Sequence, residues 1–244
     1  MASRLMRTGF AAISGGVALL TLGLANPARA SIVVYDFSNT TTASTFAGPS
    51  ATDPNVTSSN TITGPNLTQD FSITDYGQQI IRPATIAAPP TNDEAGALSS
   101  GSYFSFTVTP NAGEAMNISS LTFDSARGGA ATPRSWYWFS SIKGFTAGNE
   151  IAFHTEDSQR PTFTHYTSAT VPGLDVSAIA AYQHVNVPVE FRMYVSTPAG
   201  GQSIDADNIT INGTVTAAAS PEPASMALIV LAGLGVLGRR SSRA

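Results

Sequence analysis

Residues 187–195, VPVEFRMYV, carry the clearest fold signal in this chain. Apolar side chains occupy every second position and charged or amphipathic ones lie between them: Val187, Val189, Phe191, Met193 and Val195 against Glu190, Arg192 and Tyr194. Successive side chains of a strand point to opposite faces, so this period of two predicts a strand with one buried face. A second layer must then cover that face.

Similar segments recur along the chain. The clearest other strand candidates are SIVVYDF (31–37), YFSFTV (103–108), MNISSLTFD (116–124), RSWYWFSSI (134–142) and DADNITINGTVT (205–216), and shorter ones lie at 70–74, 79–82, 150–154 and 162–169. Turn-forming residues separate them, and only residues 174–182 suggest a helix. We therefore predict an all-β fold, a two-sheet sandwich over residues 31–216. Residues 38–65 are predicted as a long loop with one weak strand near Ile62, and residues 85–101 as a second loop.

The predicted body of the protein is acidic. Residues 31–219 contain six Lys and Arg against fifteen Asp and Glu, a net charge of −9. An acidic surface repels a phosphate backbone, so nucleic acid is not an expected partner. The chain has no cysteine. The sandwich must therefore depend on a packed core, with no disulfide to support it.

The N-terminus has the three parts of an export signal. Arg4 and Arg7 precede an apolar stretch, and Ala28-Arg29-Ala30 matches the small-x-small pattern of a cleavage site. We predict a signal peptide over residues 1–30, an N-terminal signal helix that signal peptidase removes. The alternative is an uncleaved anchor, which the glycines within the apolar stretch disfavour because they weaken a long helix.

Residues 217–244 form a second hydrophobic end. Its parts are Pro221, Glu222 and Pro223, an uncharged apolar run over residues 224–238, and a basic tail over residues 239–244 that begins with Arg239 and Arg240. At about 1.5 Å per helical residue, the run spans roughly 22 Å, against about 30 Å for a hydrocarbon core. We predict a short C-terminal transmembrane helix with its basic end on the cytoplasmic side. The alternative is an ordinary C-terminal core helix.

These three parts, in this order at the chain end, resemble the PEP-CTERM sorting signal of exported proteins in Gram-negative bacteria. The resemblance implies that an exosortase reads Pro221-Glu222-Pro223 and processes the tail after transient anchoring in the inner membrane. It places the protein in the cell envelope, on the cell surface or in the extracellular matrix. The order of strands also looks like the jelly-roll bodies often attached to this signal, which makes a jelly roll the expected sandwich.

Three aspartates lie at the ends of the predicted terminal strands. Asp36 ends the first strand, and Asp205 and Asp207 open the last one. In many jelly-roll sugar-binding modules the terminal strands are neighbours and their carboxylates share a structural Ca²⁺, so the resemblance implies a calcium site here. Hard oxygen ligands suit that ion. The alternative is turn chemistry before a strand, with no cofactor.

Four consecutive aromatic residues, 136–139, fall within one predicted strand. Alternation sends Trp136 and Trp138 to one face and Tyr137 and Phe139 to the other. One pair belongs in the core, and we predict Trp136 and Trp138 as a platform on which a sugar ring could stack. The alternative is that both faces are covered.

No catalytic motif emerges. The histidines His154, His165 and His184 lack metal-ligand spacing, and Arg127 and Arg134 are expected to pin a glycine-rich loop with Asp124. We expect a non-enzymatic protein with a structural or adhesive role in the extracellular matrix. The alternative is a carbohydrate-binding module that takes a polysaccharide, and a glycan hydrolase is a minority hypothesis. An enzyme predicts carboxylates that converge in a pocket, whereas a binding module predicts an exposed Trp in a groove.

Overall fold

The computed structural model describes residues 30–37, 48–71 and 80–218. Within these residues the chain forms thirteen strands and one α-helix, α1, over Glu94–Ser100. The strands are β1 Ala30–Tyr35, β2 Ala51–Thr52, β3 Val56–Ser58, β4 Ile62–Thr63, β5 Leu67–Phe71, β6 Ile81–Thr85, β7 Tyr103–Pro110, β8 Glu114–Arg127, β9 Ser135–Ser140, β10 Ala152–Thr155, β11 Thr164–Tyr166, β12 Val189–Ser196 and β13 Ile204–Ala217.

The strands form two antiparallel sheets, which confirms the predicted all-β sandwich. Sheet A has seven strands in the order β11-β8-β13-β1-β2, with β6 beside β13 and β5 beside β6. Sheet B has six strands in the order β10-β9-β12-β7-β3, with β4 also paired to β7. The first and last described strands, β1 and β13, are neighbours as expected.

The segment VPVEFRMYV forms most of β12, in the middle of sheet B between β7 and β9. Its inward side chains Val189, Phe191, Met193 and Val195 are buried in the core. Burial of each such side chain contributes about 1.5–3 kcal/mol. Val187 is the exception, since it precedes the strand and is exposed.

Several predicted loops and helices are corrected. The described part of the predicted loop 38–65 contains the expected weak strand near Ile62, which is β4, and also β2 and β3, which are too short to show an alternating pattern. The loop 85–101 contains α1, whose first turn is capped by Asp93. Residues 174–182 hold no α-helix but the last residue of one 3₁₀ turn, Pro172–Leu174, and the whole of another, Ala180–Tyr182.

The two predicted hydrophobic ends fall almost wholly beyond the described part of the chain. Residues 1–29 of the signal peptide and residues 219–244, with Pro221 to Pro223 and the helix 224–238, lie outside the described residues. In the ranges 30–37, 48–71 and 80–218, every helix is too short or too polar to cross a membrane.

Candidate functional site

The predicted tryptophan platform is wrong. Trp136 and Trp138 have no exposed surface and sit in the core between the sheets. Their rings make edge-to-face contacts with Phe123 at centroid distances of 4.9 and 5.6 Å. Alternation places both tryptophans on the same face of β9, as predicted. That face is the inner one, which packs against Phe123 of sheet A.

The outer face of sheet B is also largely covered. Tyr137, Phe139 and Tyr194 form a second buried cluster with Ala97 of α1, and we call this cluster the aromatic face. The helix lies against β12 at this face. Both faces of β9 are therefore covered, which is the alternative that the sequence left open.

Arg192 closes the aromatic face on one side. Its guanidinium lies 4.3 Å from the ring centre of Tyr103 and 3.8 Å from that of Phe145, so it sits over both rings. It also donates to both carboxylate oxygens of Glu190 at 2.8 and 3.0 Å. These contacts occupy the guanidinium and hold residues 141–150 against the sheet.

One aromatic ring of this face remains open to solvent. Phe153 on the edge strand β10 is 57% exposed, and its ring stacks on Tyr137 at 5.9 Å with an interplanar angle of 18°. Single exposed apolar side chains are ordinary on protein surfaces. Among the described residues, the other large exposed apolar side chains are aliphatic, whereas Phe153 is aromatic and its ring already stacks on that of Tyr137.

Two carboxyl groups lie beside this ring pair. Glu94 is the first residue of α1, and its Oε1 accepts a hydrogen bond from the Gly148 N–H at 3.2 Å. Burial raises the pKa of Glu94, the Gly148 N–H opposes this rise, and the neighbouring Glu150 carboxyl adds to it. The two side chains lie within hydrogen-bonding reach of each other.

Glu150 offers an unused acceptor. Its Oε2 is enclosed and receives no hydrogen bond from the N–H and O–H groups of the described residues. An enclosed acceptor without a donor is costly, about 1–3 kcal/mol.

A pocket opens next to Glu150 and Phe153. Its volume is about 220 Å³, and it is lined by Glu150, Ile151, Ala152, Phe153, Val171 and Gly173. Gly173 is needed there, because a Cβ would lie 2.5 Å from the carbonyl oxygen of Ile151. We call Phe153, Tyr137, Glu94, Glu150 and this pocket the rim site.

The rim site combines an apolar ring with acceptor-only oxygen atoms. A sugar presents an apolar face of C–H groups and an edge of hydroxyl donors, so both of its surfaces find partners here. The pocket is smaller than the roughly 300–1,000 Å³ typical of sites for drug-sized ligands. It would therefore take the edge of one sugar ring, while the rest of a glycan stays on the surface.

No family model matches the chain, and no curated protein matches it. The xylan-binding domain CBM22-1 of Paenibacillus barcinonensis Xyn10C aligns with a TM-score of 0.38 and 9% identity, over 76% of this chain and 96% of that domain. The family 11 carbohydrate-binding module of Clostridium thermocellum, in complex with a β-1,3-1,4-mixed-linked tetrasaccharide, gives 0.35 and 13%, over 76% and 98%.

A Stig cyclase, Fisc from Fischerella sp. TAU, gives a TM-score of 0.32 and 15% identity, over 75% of this chain and 84% of the cyclase. Binding modules and an enzyme thus occur together among these similar structures. Likeness at this level assigns neither a family nor a function to the chain.

The predicted calcium site is corrected at Asp205. Its carboxylate is fully buried, forms an ion pair with Arg160 and lies 3.7 Å from the Arg82 Nε. It also accepts a hydrogen bond from Ser203 at 3.0 Å. Burial raises the pKa of Asp205 to about 6, and Arg160 opposes that rise most strongly. Cationic partners occupy the carboxylate that calcium would need.

The other two predicted ligands lie in a different environment. Asp207 faces Asp124 across β8 and β13, and accepts the Asn208 N–H at 2.7 Å. Burial raises the pKa of Asp207 to about 7; the Asn208 N–H opposes this, and the charges of Asp124 and Asp36 add to it. In the described part of the chain, no group of three or more acidic, His or Cys side chains is arranged to hold a metal ion.

The glycine-rich loop is pinned by arginine, as predicted for Arg134. The Arg134 side chain donates to the carbonyl oxygens of Ala131 at 2.9 Å and Ser203 at 2.8 Å. Asp124 plays no part in this, because it contacts His165 at 2.5 Å and accepts from Asn208 at 2.7 Å. A further arginine, Arg160, donates to the Gly128 carbonyl at 2.6 Å.

Sequence reasoning missed the rim site. Phe153 lies in a recognisable strand, IAFHT, and its place on an edge strand decides its exposure. Glu94 lies in a predicted loop and Glu150 at the start of a predicted strand, and no local spacing of residues in the sequence connects them. Only the packing of α1 on sheet B brings them together.

Proposed function

We propose that this protein is an exported carbohydrate-binding β-sandwich and that glycans bind at the rim site. The observation that carries the proposal is Phe153, an exposed ring stacked on Tyr137 at the mouth of a pocket that Glu150 also lines. The proposal rests on this geometry and not on the similar structures. It replaces Trp136 and Trp138 with a different aromatic pair on the opposite face.

Hydrolysis is the less suitable use of the same residues. The carboxyl groups of retaining glycosidases are about 5–5.5 Å apart and those of inverting enzymes about 6.5–9.5 Å, since a glycosidic bond must lie between them. Glu94 and Glu150 are in hydrogen-bonding contact with each other. A pair so close has no room for the scissile bond, which supports binding over catalysis.

The export part of the proposal is supported by the sequence ends alone. The signal peptide 1–30 predicts a mature chain that begins at Ser31, and the PEP-CTERM-like end predicts processing near Pro221-Glu222-Pro223. Intact-mass measurement of the protein recovered from culture medium and envelope fractions tests both. Recovery of the unprocessed chain from the cytoplasm would contradict this part of the proposal.

The binding part is tested with the exported protein and a panel of soluble glycans in affinity gel electrophoresis. Phe153→Ala should weaken retention on any bound glycan by about tenfold or more, equal to about 1.4 kcal/mol. Ile86→Ala is the matched control, because Ile86 is also 57% exposed but lies just after β6, outside the rim site. Equal binding by Phe153→Ala would contradict the site. Absence of binding to every glycan would favour the structural or adhesive role.

A further inference from the structure

The charges around the rim site are one-sided. Glu94 and Glu150 lie at the pocket and ring pair, and Asp93 caps the helix next to them. Burial is the main cause that raises the pKa of Tyr137; a hydrogen bond from Ser135 opposes it, and the carboxylates Glu94, Asp93 and Glu150 raise it further. Three carboxylates therefore act on the ring that supports Phe153.

Few cations offset these carboxylates. Arg192 is bound to Glu190, and Arg160 is bound to Asp205 in sheet A. Lys143 contacts the site, and its Nζ donates to the backbone oxygen of Glu150 at 3.0 Å. One exposed ammonium against three carboxylates leaves the rim site with a net negative charge.

From this distribution we infer that the rim site selects uncharged glycans and rejects acidic ones such as polyuronates, an inference that rests on the proposed carbohydrate-binding function. A neutral sugar brings hydroxyl donors, which Glu150 and Glu94 accept. A uronate brings a further carboxylate, which donates no hydrogen bond and is repelled by the three carboxylates of the rim site. Proximity of like charges across an interface is a strong means of excluding a wrong partner.

Polymer pairs with a common backbone test the selectivity. The exported protein is measured against hydroxyethylcellulose and carboxymethylcellulose, and against polygalacturonate and its highly methyl-esterified form, at low salt. Where the neutral member of a pair binds, the charged member should bind at least about tenfold more weakly. The difference should narrow at 1 M salt, where charges are screened beyond about 3 Å.

The double variant Glu94→Gln/Glu150→Gln should lose most of this discrimination while it keeps Phe153. Glu114→Gln, at the start of β8, is the control and should keep the discrimination unchanged. The salt dependence of the unmodified protein provides a second readout that does not require the double variant to fold.

Equal or tighter binding of the charged polymers at low salt would overturn the inference and leave the binding function intact. A neutral-polymer preference that is unaffected by salt and by the double variant would also overturn it, because charge would then not be its cause. Failure of every neutral and acidic polymer to bind would instead refute the proposed function.

Discussion

Carboxylates lie against both sheets, buried on sheet A and half-buried beside sheet B, and their partners differ. On sheet A, Asp205 is enclosed by Arg160, Arg82 and the Ser203 hydroxyl. On sheet B, Glu94 and Glu150 face each other beside an exposed ring. A buried carboxylate that is paired with a cation stabilises the fold, since loss of the cation would leave a buried charge without a partner. At the rim site the partners of Glu94 are the Gly148 N–H and the Glu150 side chain, and we propose these carboxylates as acceptors for a ligand.

The strongest way to break this comparison is to remove the cation on sheet A. Arg160→Ala should lower the free energy of unfolding by about 3–5 kcal/mol, because Asp205 would keep its burial and lose its closest partner. Denaturant unfolding of the variant and the unmodified protein measures the difference. Arg192→Ala serves as a control with smaller expected loss, since its partner Glu190 is partly exposed. A loss below 1 kcal/mol for Arg160→Ala would contradict the structural role.

Asp207 sharpens the comparison within one strand. It lies two residues from Asp205, but Asn208 is its hydrogen-bond partner and the carboxylates Asp124 and Asp36 surround it. Its pKa in the folded protein is about 7, above the usual value of 3.8, so the folded state holds the proton more tightly than the unfolded state. Stability should therefore fall as pH rises from about 4 through 7.

The expected size of this pH effect is about 1–4 kcal/mol, at 1.36 kcal/mol for each unit of pKa difference. Asp207→Asn should remove the part of this pH dependence that Asp207 causes, and the variant should be more stable than the unmodified protein at pH 8. Thermal unfolding between pH 4 and 8 measures both effects. Asp205, with a pKa of about 6, leaves a smaller dependence of the same sign in the variant. An unchanged pH profile in Asp207→Asn would show that another group is responsible.

The smallest expected effect is that of a substitution at the rim site. It should raise the free energy of unfolding, whereas Arg160→Ala lowers it. Glu150→Gln replaces like-charge contact with a hydrogen bond from the amide N–H₂ group to Glu94. It should stabilise the fold at pH 8 by about 0.5–1.5 kcal/mol while it weakens glycan binding. Parallel measurement of unfolding and binding checks both signs. Loss of stability would show that Glu150 is a structural residue like Asp205.

Much of the sandwich could be predicted because strands carry their own signal. The alternation in residues 187–195 and 103–108 predicted which side chains enter the core, and Phe104, Phe106, Phe191 and Met193 are buried there. The neighbouring positions of β1 and β13 were also expected. Short strands without alternation, such as β2 and β3, were not visible in the sequence, since their pairing partners lie far away in the chain.

The function of individual residues was harder to predict. Asp205 and Asp207 look equivalent in the segment DADN, and Trp136 looks as suitable for a platform as Phe153. The members of each pair differ in which residues from distant parts of the chain pack against them. Arg160 is 45 residues from Asp205, and the inward face of β9 meets sheet A.

By itself, the sequence determined the period of the strands, the acidic charge of the body and the apolar composition of both ends, because each of these depends on residues close together in the chain. Tertiary structure alone decided which side of β9 is buried, which aspartate has a cation and which glutamates face each other. Pairing and burial depend on contacts between distant segments, and those contacts separate the carboxylates that hold the fold from those that we propose for ligand binding.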